Sequence, residues 1–452
     1  MKNNLLFLEI NEFDLSFVSK GAKKYNFKKI IGFLNKKKKI NSFTEDRKEG
    51  YNLDPWVQWV SVHTGKSSKN HKIFRIGQTL SNSIKQIWEI LAKSGYSSTI
   101  WGAFNSTLRN KKNIDLFFPD PWSYKETAYP AEFEVYNKLP SYYAQNYPAV
   151  SKYKLIYLGL LFLYKIFFSN IFFYLLKNLF SFFDVFIKCG LKSYNLYFFL
   201  DLISLKIIEN EVKKNKSDFT LISLNSFAHF QHNYWDEKNS EYYYFWYFNE
   251  MVKVFEKIEK NYSSIIIFNG FSQKKINTEY HIRPKKPDDF LKILNLKYEK
   301  IVPNMTTGAT VYFSNKNDKI KAIKILKQLS IYDYPIFDIH NFKENNKLFF
   351  KFSIVTMKEN LNINKINKKN YKSLIQKPSR LIYKSTFSNS KLINIIFKNV
   401  IYMKSTSRHS REGVLLYKNF LFNRKDFKNG KINNKKIFNN ILSHFNQIVV
   451  KT

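Results

Sequence analysis

The chain of 452 residues is long enough for two or three domains, or for one large domain with insertions. Its formal net charge of +39 would ordinarily indicate an acidic partner, but the lysines are scattered through every segment instead of forming one basic stretch. We therefore expect no specific nucleic-acid partner. The single cysteine, Cys189, excludes an intrachain disulfide and a metal site built from cysteines, so a reducing compartment is permitted.

The first apolar run ends in a turn rich in carboxylates. Residues 5–10 read as a buried strand that is interrupted by Glu9 and is too short for the core of a signal peptide, which predicts a cytoplasmic protein. The sequence Asn-Glu-Phe-Asp follows at positions 11–14. Such a turn is typical of a cation or substrate site, and a helix cap would explain it equally well.

Residues 54–65 contain two of the seven tryptophans. Trp56 and Trp59 lie three positions apart, which predicts core anchors on one face of a helix. The same block carries polar side chains that suit a site on the opposite face: Ser61, His63 and Thr64.

Residues 153–205 are dense in Phe, Leu, Ile and Tyr, with lysines at intervals. A membrane span needs roughly 18 nearly uncharged apolar residues, and the lysines interrupt this run too often. The pattern favours a packed helical insertion or lid, and it also suits peripheral contact with a membrane surface.

The stretch around which the chain is organised, residues 221–235, begins with an apolar run that is led in by Asp218-Phe219-Thr220. The run predicts a buried strand and ends in a polar cluster that contains Asn225, His229 and His232. In an open parallel sheet the ligand crevice lies beyond the carboxyl ends of the strands, so these side chains are candidates for a site.

Two later segments could deliver further side chains to that crevice. Residues 264–268 predict another buried strand, which ends in a small polar turn. Residues 401–416 place Arg408 and His409 in a predicted loop before a strand.

The alternation of strands and helices favours an α/β fold, a three-layer sandwich with a mostly parallel central sheet. We predict core segments at residues 1–152, 206–330 and 398–452. A helical insertion (153–205) and a small strand-rich subdomain (331–397) interrupt that core.

The order of these motifs resembles the alkaline phosphatase-like superfamily, in its phosphodiesterase and nucleotide-pyrophosphatase branch. The turn at residues 9–12 is similar to the family's first metal-binding turn. Thr64-Gly65 and His71-Lys72-Ile73 look like the landmarks that follow the family's nucleophile. The resemblance covers most of the chain outside the aromatic insertion and implies the same fold.

The later motifs of the resemblance concern the metal site. Asn225 and His229 have the spacing of the family's Asp-x-x-x-His pair, with asparagine in place of aspartate. His409, followed by Gly413 and a strand, is similar to the family's last histidine. The family's Asp-His-Gly motif falls on Phe268-Asn269-Gly270 in this chain. The family's nucleophile position falls near Pro55 or Trp56, and neither residue has a hydroxyl.

These departures imply one divalent metal ion, with zinc favoured, or none, instead of the two that a phosphatase of this class uses. The candidate ligands are Glu9, Asn11, Asn225, His229, His232 and His409. The candidate catalytic residues are His63, Thr64, Ser61 and Arg408. In a metal-free alternative, a histidine acts as general acid or base and an arginine holds the substrate.

The resemblance predicts hydrolysis or transfer at a phosphate or sulfate ester of a small molecule or saccharide. Residues 8–12, 55–65 and 270–273 also look like those of a divergent bacterial subgroup of the superfamily, and that resemblance implies a phosphodiester in surface-polysaccharide or nucleotide-sugar metabolism. The alternative is a catalytically degenerate protein of the same fold that serves as a binding or scaffold component.

Overall fold

The computed structural model describes residues 3–44, 53–123, 125–146, 150–190, 192–284, 287–303, 308–328, 330–331, 334–335, 337–341, 346–352 and 400–445. The chain forms two units, the first from residues 1–275 with 407–452 and the second from residues 276–406. The predicted domain boundaries remain predictions.

The strands of the described residues, in chain order, are β1 (Leu5–Ile10), β2 (Lys38–Phe43), β3 (Ser98–Trp101), β4 (Ile114–Phe118), β5 (Phe219–Leu224), β6 (Ser264–Phe268), β7 (Ser272–Pro284), β8 (Lys300–Pro303), β9 (Gly308–Tyr312), β10 (Ser330–Ile331), β11 (Tyr334–Pro335), β12 (Phe337–Asn341), β13 (Lys347–Phe352), β14 (Val400–Ser410), β15 (Glu412–Lys418), β16 (Phe427–Lys428) and β17 (Lys431–Asn433). His409 therefore lies in strand β14, and the prediction that it lies in a loop was wrong.

The helices, in the same order, are α1 (Leu15–Lys24), α2 (Lys28–Asn35), α3 (Pro55–Thr64), α4 (Ser68–His71), α5 (Ile87–Lys93), α6 (Glu134–Asn146), α7 (Lys152–Phe167), α8 (Ile171–Lys177), α9 (Leu179–Cys189), α10 (Ser193–Lys214), α11 (Ser226–Asn233), α12 (Lys238–Glu259), α13 (Pro287–Ile293), α14 (Lys316–Gln328) and α15 (Lys436–His444). Short 3-10 helices lie at Ala131–Phe133 and Arg424–Asp426.

The first unit is built on a nine-stranded sheet of order β16-β17-β2-β15-β6-β1-β5-β3-β4. Strands β1, β5, β6, β3 and β4 pair in parallel, and β15 runs antiparallel between β6 and β2. Every residue of β1, β5 and β6 is buried, as expected for parallel strands covered on both faces. The predicted α/β class with a mostly parallel central sheet is confirmed.

Side chains of β1 alternate between two cores. Leu6, Leu8 and Ile10 pack with α1, α2, α10 and α12 on one face of the sheet. Leu5 and Phe7 pack with α3, α5 and α15 on the other face. Successive residues of a strand point to opposite faces, so one buried run supports both layers of helices.

Helix α3 begins with Pro55, whose fixed φ suits the first helical position, and ends at Gly65 in the left-handed conformation. All ten of its residues are buried. Trp56 and Trp59 are both in the core, as their spacing predicts. The opposite face of α3 is buried as well, so its polar side chains lie inside the protein.

The aromatic segment is helical over most of its length, in α7, α8, α9 and the first part of α10, and its bounds as an insertion remain a prediction. Within the described residues, no single helix meets the length and hydropathy expected of a membrane span. Helices α7 and α8 meet that test only as a pair, bent by 94° at the break between them.

The second unit contains a four-stranded antiparallel sheet of order β12-β13-β9-β8, with the short β10-β11 pair and helices α13 and α14. The described strands agree with a strand-rich unit. Residues 353–399, most of the predicted small subdomain, lie outside the described residues.

Candidate functional site

Three side chains from distant parts of the chain converge beside the carboxyl ends of the central strands. They are Glu12, His232 and His409, which we call the Glu12 cluster. Glu12 lies two residues after β1, and His232 lies in α11, which follows the neighbouring strand β5. Because β1 and β5 run parallel, their carboxyl ends open on the same edge of the sheet. The cluster therefore lies in the predicted crevice.

The reactive atoms of the Glu12 cluster lie close together. Glu12 Oε2 is 2.9 Å from His232 Nε2 and 3.1 Å from His409 Nε2. The two Nε2 atoms are 3.2 Å apart. Two ligands about 2.1 Å from one ion are separated by roughly 3.0 Å at the right angle of an octahedral site and by roughly 3.4 Å at the tetrahedral angle of zinc sites. The spacing therefore fits three ligands on one side of a single divalent ion.

Each imidazole of the Glu12 cluster has a hydrogen-bond partner outside the cluster. Ser407 Oγ donates to Gln273 Oε1 at 2.6 Å, so the His232 Nδ1 atom, 3.4 Å away, is the donor to Ser407. The His409 ring donates to the backbone of Leu53. These bonds leave the Nε2 lone pairs directed toward the centre of the cluster, as in histidines that bind metal. Two lone pairs beside a carboxylate oxygen require a cation or protons between them.

Glu12 is fixed by its backbone and by its neighbours. Its φ of +58° lies in the left-handed region, where a non-glycine residue is strained. Its backbone N–H donates to the Asn269 carbonyl at 3.0 Å. Asn11 Nδ2 donates to Oε1 at 3.2 Å, and the Gln273 amide donates to Oε2. The carboxylate is thus held in place at 1% exposure.

The charged groups of the Glu12 cluster shift one another's pKa values. Burial alone would raise the pKa of Glu12, but His409 and His232 hold the pKa of this carboxyl well below its usual range. Burial alone would lower the pKa of His409, but the Glu12 carboxylate raises it above its ordinary value. Asp54 is close enough to be influenced by His409, and burial raises the pKa of Asp54 to about 7. Metal binding at this cluster would release a proton.

A chain of hydrogen bonds runs beside the Glu12 cluster. Trp59 Nε1 donates to Asn11 Oδ1 at 2.8 Å, and Asn11 Nδ2 donates to Asn225 Oδ1 at 2.7 Å. Asn225 Nδ2 then donates to His229 Nε2 at 3.3 Å, which occupies the lone pair of that nitrogen. The His229 ring stacks on Tyr197 with centroids 3.9 Å apart, and burial lowers the pKa of His229 to about 4. The assignments of Asn11, Asn225 and His229 as metal ligands remain predictions.

Glu9 and His63 pair with each other in the core. His63 Nε2 is 2.6 Å from Glu9 Oε1, and both side chains are fully buried. The imidazole stacks on Trp59 and meets the edge of Trp88. The structure thus joins a predicted ligand to a predicted catalytic residue, and both roles remain predictions.

The hydroxyls of α3 bond to their own helix. Ser61 Oγ and Thr64 Oγ1 donate to the carbonyl four residues earlier, at 3.1 and 2.6 Å. The Ile73 N–H donates to His71 Nδ1 at 3.0 Å, so the proton of His71 is on Nε2, which is 3.0 Å from Ser61 Oγ. In this tautomer His71 cannot take a proton from Ser61, so it does not activate that hydroxyl.

Replacing His71 by glutamine is expected to reduce the pH dependence of stability. Burial lowers the pKa of His71 from 6.5 to about 4, so between these values the unfolded chain binds a proton and the folded chain does not. The stabilising contribution is complete above pH 6.5 and falls by up to about 1.4 kcal/mol per pH unit toward pH 4. Urea unfolding between pH 6.5 and pH 4 should show that the free energy of unfolding falls less steeply with decreasing pH in His71→Gln than in the wild type. Equal slopes would contradict a buried neutral imidazole.

Arg408, the remaining predicted catalytic residue, is exposed. It lies between Ser407 and His409 on β14, and alternation along a strand places it on the opposite face from both. Its role in substrate binding remains a prediction.

Sequence reasoning did not select three residues that build this region. Glu12 was noted in the carboxylate turn, but it was not among the selected ligands. Gln273 was noted only as part of a polar turn after a strand. Asp201, in the middle of α10, accepts from the backbone N–H groups of Asn225 and Ser226 at 3.1 and 2.9 Å, and no local motif signals this role.

The sheet and its strand-end cluster define an α/β protein with a site suited to one divalent ion. No family model matches the chain, and no curated protein matches it. Among solved structures, it is similar to the wild-type alkaline phosphatase PafA, with TM-score 0.46, 11% identity, and coverage of 99% of this chain and 96% of that one.

Two other solved structures are similar. A murine ectonucleotide pyrophosphatase / phosphodiesterase 5 matches with TM-score 0.44, 8% identity, and coverage of 99% of this chain and 96% of that one. A phosphonoacetate hydrolase from Sinorhizobium meliloti 1021 matches with TM-score 0.43, 7% identity, and coverage of 97% and 95%. At such scores the likeness fixes neither the activity nor the site residues of this chain.

Proposed function

We propose that this chain hydrolyses a phosphate ester, or a sulfate ester, with one divalent ion held by the Glu12 cluster. The observation that carries the proposal is the convergence of one carboxylate oxygen and two imidazole nitrogens beside the ends of β1 and β5. This donor set suits zinc. When bound, the ion would polarise an ester oxygen and lower the pKa of a bound water.

Two of the predicted catalytic residues, Ser61 and Thr64, carry hydroxyls that are engaged within their own helix, which favours water as the attacking group. Ser61 and Thr64 are buried and donate to the backbone of their own helix. A covalent intermediate at either residue would require breaking those bonds and reorganising α3. Hydrolysis by water is therefore the proposed reaction, in preference to transfer through either hydroxyl.

We place the natural substrate among phosphodiesters of surface-polysaccharide or nucleotide-sugar metabolism. The resemblance of residues 8–12, 55–65 and 270–273 to a divergent bacterial subgroup of the superfamily supports this placement. A cytoplasmic location is part of the proposal, and the single cysteine is compatible with a reducing compartment.

Chromogenic esters test the reaction class. The purified chain is assayed with bis(p-nitrophenyl) phosphate, p-nitrophenyl phosphate and p-nitrophenyl sulfate, after chelation and after adding Zn²⁺ or Mn²⁺. We expect hydrolysis that depends on added metal and is lost in His409→Ala. Release of nitrophenol at equal rates by the wild type and His409→Ala would refute the proposal.

The two histidines of α11 should differ in metal binding. His232→Gln removes a ligand of the proposed ion and should lower the zinc content from about one ion per chain to well below one. His229→Gln should keep the ion, because His229 Nε2 already accepts from the Asn225 amide. Elemental analysis after dialysis compares the two variants. Equal loss of zinc in both would place His229 in the metal site.

A second candidate is a binding or scaffold protein without catalysis, and the asparagines favour it. Asn11 and Asn225 bond to each other, and Asn269 donates to the Phe13 carbonyl and accepts from the Val414 N–H. Amides that are satisfied within the protein are poor candidates for a second ion. Zinc binding without hydrolysis of any tested ester would support this candidate.

A further inference from the structure

Helices α7 to α9 and the turns between them expose an apolar surface, which we call the aromatic surface and define as the exposed apolar residues between 153 and 187. Its most exposed members have at least 65% of their area open to solvent: Tyr153, Tyr164, Phe168, Phe173, Phe180 and Ile187. Soluble proteins rarely expose contiguous apolar patches beyond a few hundred Å² unless the patch binds something.

Helix α7 is apolar on both its buried and its exposed sides. Its buried side, at Leu158, Phe162 and Ile166, follows the four-residue spacing of a stripe packed on a core. Its exposed side carries Leu160 and Leu163, which are 62% and 55% exposed. A surface helix ordinarily presents polar residues to water, so the exposed side of α7 has the composition of a contact surface.

The charges among these apolar residues are mostly positive. Lys152, Lys154, Lys177 and Lys188 are exposed, and Asp184 is the only carboxylate between positions 151 and 190. Asp184 pairs with Lys188 at 2.8 Å, so the remaining lysines are not neutralised by acids of this segment. Aromatic and aliphatic side chains with lysines beside them match the boundary between anionic headgroups and acyl chains.

We propose that the aromatic surface binds an anionic lipid bilayer, with the helices lying in the headgroup region. Helices parallel to the bilayer surface are favoured over a membrane span, because the 16 residues of α7 extend only about 24 Å. The hydrocarbon core of a bilayer is roughly 30 Å thick. Helix α8 then turns away by 94°, so the pair forms no straight span. The proposal does not depend on the reaction at the Glu12 cluster.

Vesicle flotation with the full chain tests this proposal. The probes are vesicles of phosphatidylcholine alone and vesicles with 30% phosphatidylglycerol, at low and high salt. We expect binding to the anionic vesicles, weaker binding to the neutral ones, and partial loss in high salt as the lysines are screened. Phe180→Gln combined with Leu160→Gln should reduce binding at least about tenfold, since each apolar side chain contributes through its buried area.

Leu421→Gln is the matched control, because Leu421 is 90% exposed but lies outside the aromatic surface. It should bind vesicles like the wild type. Circular dichroism checks that the double variant is folded, which is expected because both residues point to solvent. Three outcomes would overturn the proposal: no vesicle binding, equal losses in both variants, or a wild-type dimer that the double variant abolishes. The last outcome would assign the surface to contact between copies.

Discussion

Replacing Glu12 by glutamine is expected to lower zinc affinity by on the order of 100-fold or more and to remove ester hydrolysis. Glutamine has nearly the same size, so the change removes a negative charge and leaves the space filled. The Glu12 carboxylate would be the anionic ligand of the proposed ion, and both imidazoles lie about 3 Å from it. Changes to groups that only support metal ligands already cost 10–100-fold in affinity, and loss of a charged ligand should cost at least as much.

Isothermal titration of the metal-free chain with Zn²⁺ measures the affinity, and the chromogenic ester assay measures the activity. Glu412→Gln is the control, because Glu412 is 64% exposed and pairs with Lys431 at the surface. This variant should match the wild type in both measurements. If Glu12→Gln binds one zinc ion with unchanged affinity, the Glu12 cluster is a network of protonated histidines and not a metal site.

The strands of the central sheet could be predicted because their sequences are apolar without interruption. Residues 5–10 form β1 with the predicted bounds, and β5 and β6 are apolar runs followed by polar residues. Parallel strands that are buried on both faces leave this signature in the sequence. Much of the predicted strand-rich segment lies outside the described residues, so its strands remain a prediction there.

The sequence could predict where the candidate site lies, but not which side chains form it together. Strand ends placed Asn225, His229 and His232 at the crevice, yet α11 begins there and separates the two histidines. They lie three positions apart on the helix, and His229 stacks on Tyr197 whereas His232 lies 2.9 Å from Glu12. Which histidine reaches the carboxylate depends on how α11 packs against α10, and that packing has no local signature.

The choice of Glu12 over Glu9 follows from backbone geometry. Glu9 belongs to β1, and its side chain packs on the face of the sheet that holds His63. Glu12 lies beyond the strand with a positive φ, a conformation that sequence patterns do not indicate for glutamate. The neighbouring amides of Asn11 and Asn225 add no charge that would repel the buried Glu12 carboxylate.

Gly21→Ala is expected to destabilise the first unit by roughly 2–3 kcal/mol, the upper part of the range for overpacked cores. A methyl group at position 21 of α1 would overlap the ring of Phe245. That ring is fully buried and lies against Phe17, Tyr25 and Tyr244, with centroids 5.1 to 5.6 Å apart. It therefore has no open space into which to move, and α1 must shift away from α12.

Gly32→Ala is the matched control in the next helix, α2. A methyl group there meets nothing within 4 Å, and alanine favours a helix over glycine by about 1 kcal/mol. The free energy of unfolding in urea should therefore fall in Gly21→Ala and rise in Gly32→Ala, although each change adds one methyl group. Equal stabilities would show that Phe245 can be displaced at no cost. Since α1 begins just after Glu12, the loss in Gly21→Ala should also weaken zinc binding, whereas Gly32→Ala should leave it unchanged.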